Sequence, residues 1–345
     1  MGRVLRCAHF GLGPIGQAIA RLANESSSMA IVSAADLSPD RVGRDLGEVL
    51  GLPRRLRIRV RDDVDRLISK LKADVAILAT SSSLAECKDL AIKLFKRGLH
   101  VVTTCEELAY PLPGNQSAFK TLDREARAKK VTMLSIGINP GFAMDALPLM
   151  LTAPCSEVRR ISATRVVDLA TRRRSLQRKV GAGLNVHQFR RALAEGNVRH
   201  VGLLQSTHMI ARTLGWTLDR IDETVEPAIA PRDLDTEQMR VPAGAVSGIK
   251  QYARAYRKGE LIISLDLQLY VGAEAPRDHI LIDGTPPLDV TIAGGIGGDA
   301  ATAAIVVNCL PKMLSAPPGV RTVNELSLLH RLNPAETAAA KSGRR

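Results

Sequence analysis

Gly11-x-Gly13-x-x-Gly16 constrains this chain more than any other feature, because of where it stands. It follows an apolar run over 4–10, opens a helical pattern that continues through Ala23, and precedes Asp36 by 20 residues, counted from its last glycine. Asp36 itself ends a second apolar run, 29–35. In a strand–turn–helix setting the first glycine permits the tight turn and the second lets the backbone approach a pyrophosphate. The third lets helix and strand pack closely. The helix amino end then presents unpaired N–H groups to an anion, and Pro14 costs little there because its missing donor has no partner in any case. Gly11, Gly13, Pro14, Ile15 and Gly16 are therefore the expected binding turn for a dinucleotide. Asp36 is placed to accept from adenosine-ribose hydroxyls, which favours NAD over NADP. Arg41 and Arg44 are close enough in sequence to offset that carboxylate if their loop folds back, so NADP stays open.

The residues that follow repeat the same alternation. Strand-like runs at 56–60, 73–79, 100–103 and 131–138 are separated by helical patterns at 84–96 and 116–129. Strands separated by helices of this length imply βαβ units and a parallel sheet. After Asn139-Pro140-Gly141 the pattern changes. Helical stretches at 143–151, 186–194 and 201–214 are joined by strand-like runs at 158–167, 249–256, 261–271, 279–282 and 288–292. The turn Arg257-Lys258-Gly259 between two of these favours an antiparallel ladder. Pro148 leaves the end of its helix open. After Gly294-Gly295-Ile296-Gly297-Gly298, Asp299 is placed to cap a helix that is apolar almost all round and so belongs in a core.

The expected architecture is α/β: a Rossmann-like parallel-sheet domain over 1–135, with a return helix at 299–314. A second, α+β domain with a largely antiparallel or mixed sheet covers 136–298. The C-terminal segment is 315–345, Ala-rich and basic at its very end, and expected to fray. At 345 residues and roughly 100–200 residues per domain, two domains fit the length.

Composition narrows the function. With 45 % apolar residues, global disorder is excluded. No apolar run reaches the roughly 20 residues that span a bilayer. Arg3 and Arg6 resemble the start of a secretory signal, but the apolar run breaks at His9 and enters the glycine turn. The five cysteines are scattered without a CxxC pair, as expected of reduced thiols in a cytoplasmic protein, and no metal-ligand spacing is present. The net charge of +13 suits either nucleic acid or an anionic metabolite drawn into a cleft. With one Trp, four Tyr and five Phe there is little with which to stack bases, which disfavours nucleic acid.

A more specific pattern begins at Thr103-Thr104-Cys105-Glu106-Glu107-Leu108-Ala109-Tyr110-Pro111. It continues in Asn139-Pro140-Gly141-Phe142, Arg165-Val166-Val167-Asp168 and Leu176-Gln177-Arg178-Lys179-Val180-Gly181, and ends in the run 299–308. Together, over about residues 3–325, these resemble the 2,4-diaminopentanoate dehydrogenases and related amine dehydrogenases, and more distantly the dihydrodipicolinate reductases. The resemblance implies reversible oxidative deamination, or reductive amination, of a small amine or a diamino acid such as 2,4-diaminopentanoate. It implies a nicotinamide cofactor, ammonium as co-substrate and a homodimer formed through the second domain. A dihydrodipicolinate-reductase-like imine reductase is the alternative, but the histidine-rich SxxHHxxKxDxPSGTA-like run of that family is absent.

Reductive amination needs a group that stabilises an iminium-like carbon and moves protons, a duty that fits a carboxylate. Glu106 and Glu107 follow a strand at the edge where an open parallel sheet places ligands. If the chain stays extended there, the two side chains point oppositely, and Glu107 is the first choice with Glu106 the alternative. Thr80, Ser81 and Ser82 end another strand, where they either contact the cofactor or cap the next helix. Asn139 is a candidate for orienting nicotinamide or substrate. Arg165, with Asp168 to orient it, and Arg178 are candidates for holding a substrate carboxylate. The run 172–174 reads as a solvated or dimer surface. His200 and His208, eight residues apart on a helical stretch, share a face and are candidates to line a substrate cavity or fill a core.

Overall fold

The opening alternation of apolar runs and helical stretches folds as a chain of βα units. The computed structural model describes residues 4–331. Its elements run β1 (Leu5–Phe10), α1 (Pro14–Glu25), β2 (Met29–Ala35), α2 (Leu46–Val49), β3 (Val60–Arg61), α3 (Val64–Ser69), β4 (Val75–Leu78) and α4 (Leu84–Lys96). Next come β5 (His100–Thr103), a 3₁₀ turn at Glu106–Leu108, α5 (Gln116–Ala128) and β6 (Thr132–Ser135). The chain then builds a second group: α6 (Ala146–Leu151), β7 (Glu157–Asp168), α7 (Arg174–Lys179), α8 (Val186–Ala194) and α9 (Leu203–Thr213). Strands β8 (Arg220–Ile229), β9 (Leu234–Asp235), β10 (Arg240–Val241), β11 (Val246–Arg257), β12 (Glu260–Tyr270), β13 (Arg277–Thr285) and β14 (Leu288–Ala293) complete it. Helix α10 (Gly298–Leu314), β15 (Gly319–Arg321) and a 3₁₀ turn at Val323–Glu325 follow. Two compact units result: the described residues of Met1–Ile138 with Gly297–Arg345, and Asn139–Ile296.

The first unit holds a seven-stranded sheet in the order β15-β6-β5-β4-β1-β2-β3, with every pairing parallel. Strands covered on both faces must be apolar throughout, and all of β4, Val-Ala-Ile-Leu, is buried. Phe10, Leu78, Leu94, Phe95 and Leu122 pack in one core cluster. Each such side chain contributes about 1.5–3 kcal/mol of transfer free energy. Helix α10, buried at Ala303, Val306, Val307, Leu310 and Met313, packs against α1, β5 and β6.

Four local expectations change. The strand expected over 56–60 shrinks to β3, because the Asp45 carboxylate accepts from Leu56 N (2.8 Å) and Ile58 N (3.2 Å) and replaces ladder bonds with a loop. Gly297, not Asp299, stands at the cap of α10, and Asp299 falls in its first turn. Helix α6 starts at Ala146, three residues later than expected, because Asp145 accepts from Ala146 N (2.6 Å) and reaches back to Gly141 N (2.8 Å). Pro148 sits in the first turn of that helix, where no intrahelical N–H bond is lost. Within the expected C-terminal segment, β15 joins the sheet beside β6; the expected fraying at its very end lies outside the described residues.

The second unit carries a six-stranded sheet, β14-β13-β7-β12-β11-β8. It is mixed: β7 and β12 are parallel, whereas β11 and β12 form an antiparallel hairpin. That hairpin turns through Lys258 (φ 52°) and Gly259 (φ 79°), the paired positive φ values that match strand twist. Strand β8 has no counterpart in the sequence reading because it is polar and contains Pro227, a composition that suits the sheet edge it occupies. Helices α6, α8 and α9 pack on β13, β8, β11 and β12.

Candidate functional site

The glycine turn is built for an anion. Gly11 has φ +89°, and a Cβ there would stand 2.3 Å from Ala79 O, so β4 approaches the turn too closely for any side chain. A Cβ on Gly16 would meet Gly11 O at 2.0 Å. Gly13, by contrast, has nothing within 4 Å of its absent Cβ. Open space therefore lies over the residue that caps α1, with Pro14 next to it at the helix start. The amides of Ile15 and Gly16, in that first turn, have no intrahelical acceptor. Beneath the turn the His9 ring is fully buried and neither nitrogen finds a partner; burial lowers its pKa to about 4 and keeps it neutral.

Asp36 ties this turn to β2. Its carboxylate accepts from Leu12 N (2.5 Å), Ser38 N (2.7 Å) and Arg41 Nη1 (3.2 Å). Burial alone would raise its pKa, but those bonds and the Arg41 charge outweigh burial and hold it below the ordinary carboxylate value. Arg41 therefore does fold back onto Asp36. Open space at Gly13, free amides and an ionised acid at the end of β2 fit a dinucleotide phosphate and ribose.

Strand ends are aligned on this side of the sheet: Gly11 N bonds Ala35 O, Ala79 N bonds Phe10 O, and Thr104 N bonds Leu78 O. Thr80, Ser81 and Ser82 follow β4 there. The Ser81 hydroxyl accepts from Ser83 N (3.1 Å), and Thr80 Oγ1 lies 3.8 Å from Cys87 Sγ. Among the described residues the Ser82 hydroxyl makes no bond, while its carbonyl accepts from Glu107 N at 3.3 Å.

The glutamates occupy a 3₁₀ turn instead of an extended segment, so their side chains diverge by about 120° and are not opposed. Ser83, at the cap of α4, makes no side-chain cap bond; Glu107 Oε2 accepts from Leu84 N at 2.8 Å in its place. Glu107 is thereby committed to a helix amino end. The carboxylate of Glu106 accepts no hydrogen bond among the described residues.

In the second unit, Asn139 precedes a cis peptide bond to Pro140, and both polar atoms of its amide are enclosed without a partner. Pro140 packs so tightly on Gly202 that a Cβ there would stand 2.3 Å from Pro140 Cδ. Arg165 is 4 % exposed and spends its guanidinium internally. Nη1 donates to both oxygens of Asp278 (2.6 and 2.7 Å) and Nη2 to Ile296 O (2.6 Å). Asp278, not Asp168, is thus the acid that orients Arg165; the two stand opposite each other on β13 and β7. Asp168 instead accepts from Ala170 N (3.0 Å) and Gly272 N (2.8 Å), closing a turn. Arg178 is exposed on α7.

His200 lies ahead of α9, which begins at Leu203, so it does not share a helical face with His208. Its backbone is clamped from both sides by Gln251, through His200 N to Oε1 and Nε2 to His200 O, each 2.9 Å. Its Nδ1 is enclosed without a partner. Burial, then the charges of Lys179 and Arg165, push its pKa down to about 3. His208 is half-buried on α9, and burial lowers its pKa.

Asp145, Gln251 and Asp278 are polar groups that sequence reasoning missed. Asp145 is wholly buried, bonded to Gly141 N, Ala146 N and Ser206 Oγ (2.8 Å), yet burial still raises its pKa. Their partners lie far away along the chain, 61 residues for Asp145–Ser206 and 113 for Arg165–Asp278, so no local spacing announces them. Among the described residues, no cluster of His, Cys, Asp or Glu suits a metal ion and no helix is long and apolar enough to cross a membrane.

Comparison with known proteins adds the following. Residues 142–341 match the family described as the 2,4-diaminopentanoate dehydrogenase C-terminal domain. The chain is 30 % identical over 331 residues to the 2,4-diaminopentanoate dehydrogenase of Acetoanaerobium sticklandii, covering 92 % of this chain and 91 % of that protein. Its fold is similar to a solved amine dehydrogenase from Mycobacterium smegmatis, with a TM-score of 0.85, 22 % identity, and 95 % and 97 % of the two chains covered. A dihydrodipicolinate reductase from Paenisporosarcina sp. TG-14 is more remote, at a TM-score of 0.50 and 15 % identity, with 93 % and 98 % covered.

Proposed function

The chain belongs to the 2,4-diaminopentanoate dehydrogenase family, and from that premise we propose that it deaminates a small diamino acid, with 2,4-diaminopentanoate the first candidate. It is an NAD(P)-dependent oxidoreductase acting on CH–NH₂ groups. The balanced reaction converts R₂CH–NH₃⁺, NAD(P)⁺ and water to R₂C=O, NH₄⁺, NAD(P)H and H⁺. A nicotinamide held at the glycine turn would supply the acceptor for the hydride of the amine-bearing carbon. Everything else falls to the chain itself.

The observation that carries the residue assignment is the uncommitted Glu106 carboxylate, on the sheet edge that also bears the glycine turn. Glu106 stabilises the cationic iminium carbon and takes the proton from the attacking water. Gly11, Gly13, Ile15, Gly16 and Asp36 hold the dinucleotide, with Pro14 shaping the helix start and Ser82 supplying a free hydroxyl nearby. In the second unit the Asn139 amide and His200 Nδ1, enclosed without a partner, are the ligand-directed groups, with Lys179 as the nearby positive charge. NAD is preferred because Asp36 is ionised, although Arg41 beside it tempers the discrimination against a 2′-phosphate.

The protein acts as a cytoplasmic homodimer joined through the second unit's sheet. Supporting this, the strand face bearing Tyr252, Arg254 and Tyr256 carries cation–π contacts at 5.2 Å (Arg254 on Tyr252) and 4.4 Å (Arg220 on Tyr256). Tyr and Arg are enriched at interface cores.

Purified protein is to be mixed with ammonium, NADH or NADPH, and a panel of carbonyl compounds. The panel includes simple ketones and the amino-oxo acid left when diaminopentanoate loses one amine. Ammonium-dependent cofactor oxidation, strongest with the amino-oxo acid, is the expected result. Oxidation restricted to simple ketones overturns the substrate assignment, and oxidation of a cyclic imine without ammonium overturns the reaction class.

A further inference from the structure

A cavity of about 350 Å³ opens in the first unit beside α3, away from the glycine turn. Its apolar lining comes from Val32 on β2 and from Leu67 and Leu71. Around it stand Arg6, Arg61, Arg66, Lys70 and Lys72, opposed by one carboxylate, Asp63. That carboxylate is occupied at the amino end of α3, where it accepts from Arg66 N at 3.0 Å. Among the described residues, none of the five cationic side chains makes a hydrogen bond or an ion pair. So many unpaired cations around one concavity repel one another, and the repulsion is relieved by a multivalent anion.

We propose that this cavity is a second ligand site, taking a polyphosphorylated small molecule whose organic ring lies against the apolar lining. A volume near the lower end of the 300–1,000 Å³ range of small-molecule pockets admits a mononucleotide-sized ligand and excludes anything much larger. The site is distinct from the dinucleotide turn. Arg6 lies near the start of β1 and Gly11 just beyond its end, five residues along a strand and so about 16 Å away.

The two sites are nevertheless joined through the backbone. Asp36 N donates to Arg61 O at 3.0 Å, and Ser33, which also lines the cavity, lies on β2 three residues before Asp36. An anion drawing the Arg61 side chain inward therefore acts on the segment that holds the ribose-binding acid. Occupancy of the cavity is expected to change dinucleotide affinity, which makes it an effector site for the dehydrogenase; that consequence rests on the proposed role of Asp36.

The test uses the full-length protein, titrated calorimetrically with ATP and with inorganic tripolyphosphate, alone and saturated with NADH. The same titrations are run on Arg66→Glu/Lys70→Glu, a change at two exposed residues. Nicotinamide fluorescence reports NADH binding in every sample, so loss of the dinucleotide site is seen separately from loss of the cavity site. ATP is expected to bind one site with NADH present, and about tenfold or more weaker in the double variant. NADH affinity without ATP stays unchanged in that variant. ATP binding that is unaffected by the substitutions, or displaced one-for-one by NADH, overturns the proposal. Equal binding of tripolyphosphate and ATP overturns the role of the apolar lining. Binding of duplex RNA more tightly than ATP, lost in the same variant, marks the patch as a nucleic-acid contact and overturns the small-molecule site.

Discussion

The carboxyl edge of the parallel sheet and the buried polar groups of the second unit both gather charge, but they leave it in opposite states. At the edge, groups remain available: Gly13 faces open space, the first-turn amides of α1 lack acceptors, and Glu106 is unbonded. In the second unit, Arg165, Asp278, Asp145 and Gln251 are nearly saturated by one another and by backbone. Buried charge that is saturated holds a fold together, whereas polar groups left open are suited to a ligand. The Asn139 amide, His200 Nδ1 and Gln177 Oε1 depart from this in the second unit, enclosed without a partner, and the first two carry the proposed substrate-directed role.

The sharpest way to break this contrast is at the glutamates. Glu106→Gln is expected to lower kcat by about 10²–10⁴-fold with little change in Tm, as for loss of a general acid–base. Turnover unchanged in Glu106→Gln removes the catalytic assignment. Next in size, Arg165→Met alone strands Asp278 in the interior and is expected to cost about 3–5 kcal/mol of stability. Arg165→Met/Asp278→Leu should recover much of that in chemical denaturation. A raised substrate KM at unchanged stability would instead make Arg165 a ligand and collapse the contrast.

Acid provides a third probe, through His9. Its folded pKa of about 4 lies below the unfolded value of 6.5, so the unfolded chain binds more protons between those limits. The neutral ring's contribution to stability is complete above pH 6.5 and is lost as pH falls towards 4. Stability of His9→Gln, measured against wild type from pH 7 to 4.5, should fall less steeply; parallel curves would show that His9 does not titrate this way. The smallest effect belongs to Glu107→Gln, a helix-cap change expected to cost about 1 kcal/mol, with kcat altered far less than in Glu106→Gln.

Legibility followed the range of the interactions. The amino end of the helix Val186–Ala194 rests on contacts within a few residues, where Asn185 with Gln188 closes a capping box. Strand β8 was illegible because edge strands tolerate polar residues and proline. The 56–60 stretch misled because its apolar alternation is overruled by Asp45, eleven or more residues away. The hydrogen bond that occupies Glu107 was equally illegible, because its partner, Leu84, is 23 residues distant.

From its residues alone, this protein determines a parallel α/β unit, a tight glycine turn with an acid at Asp36 after the second strand, and a mixed second unit. Those follow from backbone sterics and hydrophobic period, which act over a turn or a strand. Tertiary structure alone decides which of two adjacent glutamates is free, that Asp278 rather than Asp168 holds Arg165, and that scattered arginines and lysines ring one cavity. Whether a polar group is spent or available depends on what the fold brings within about 3 Å of it, and that distance is unrelated to separation along the chain.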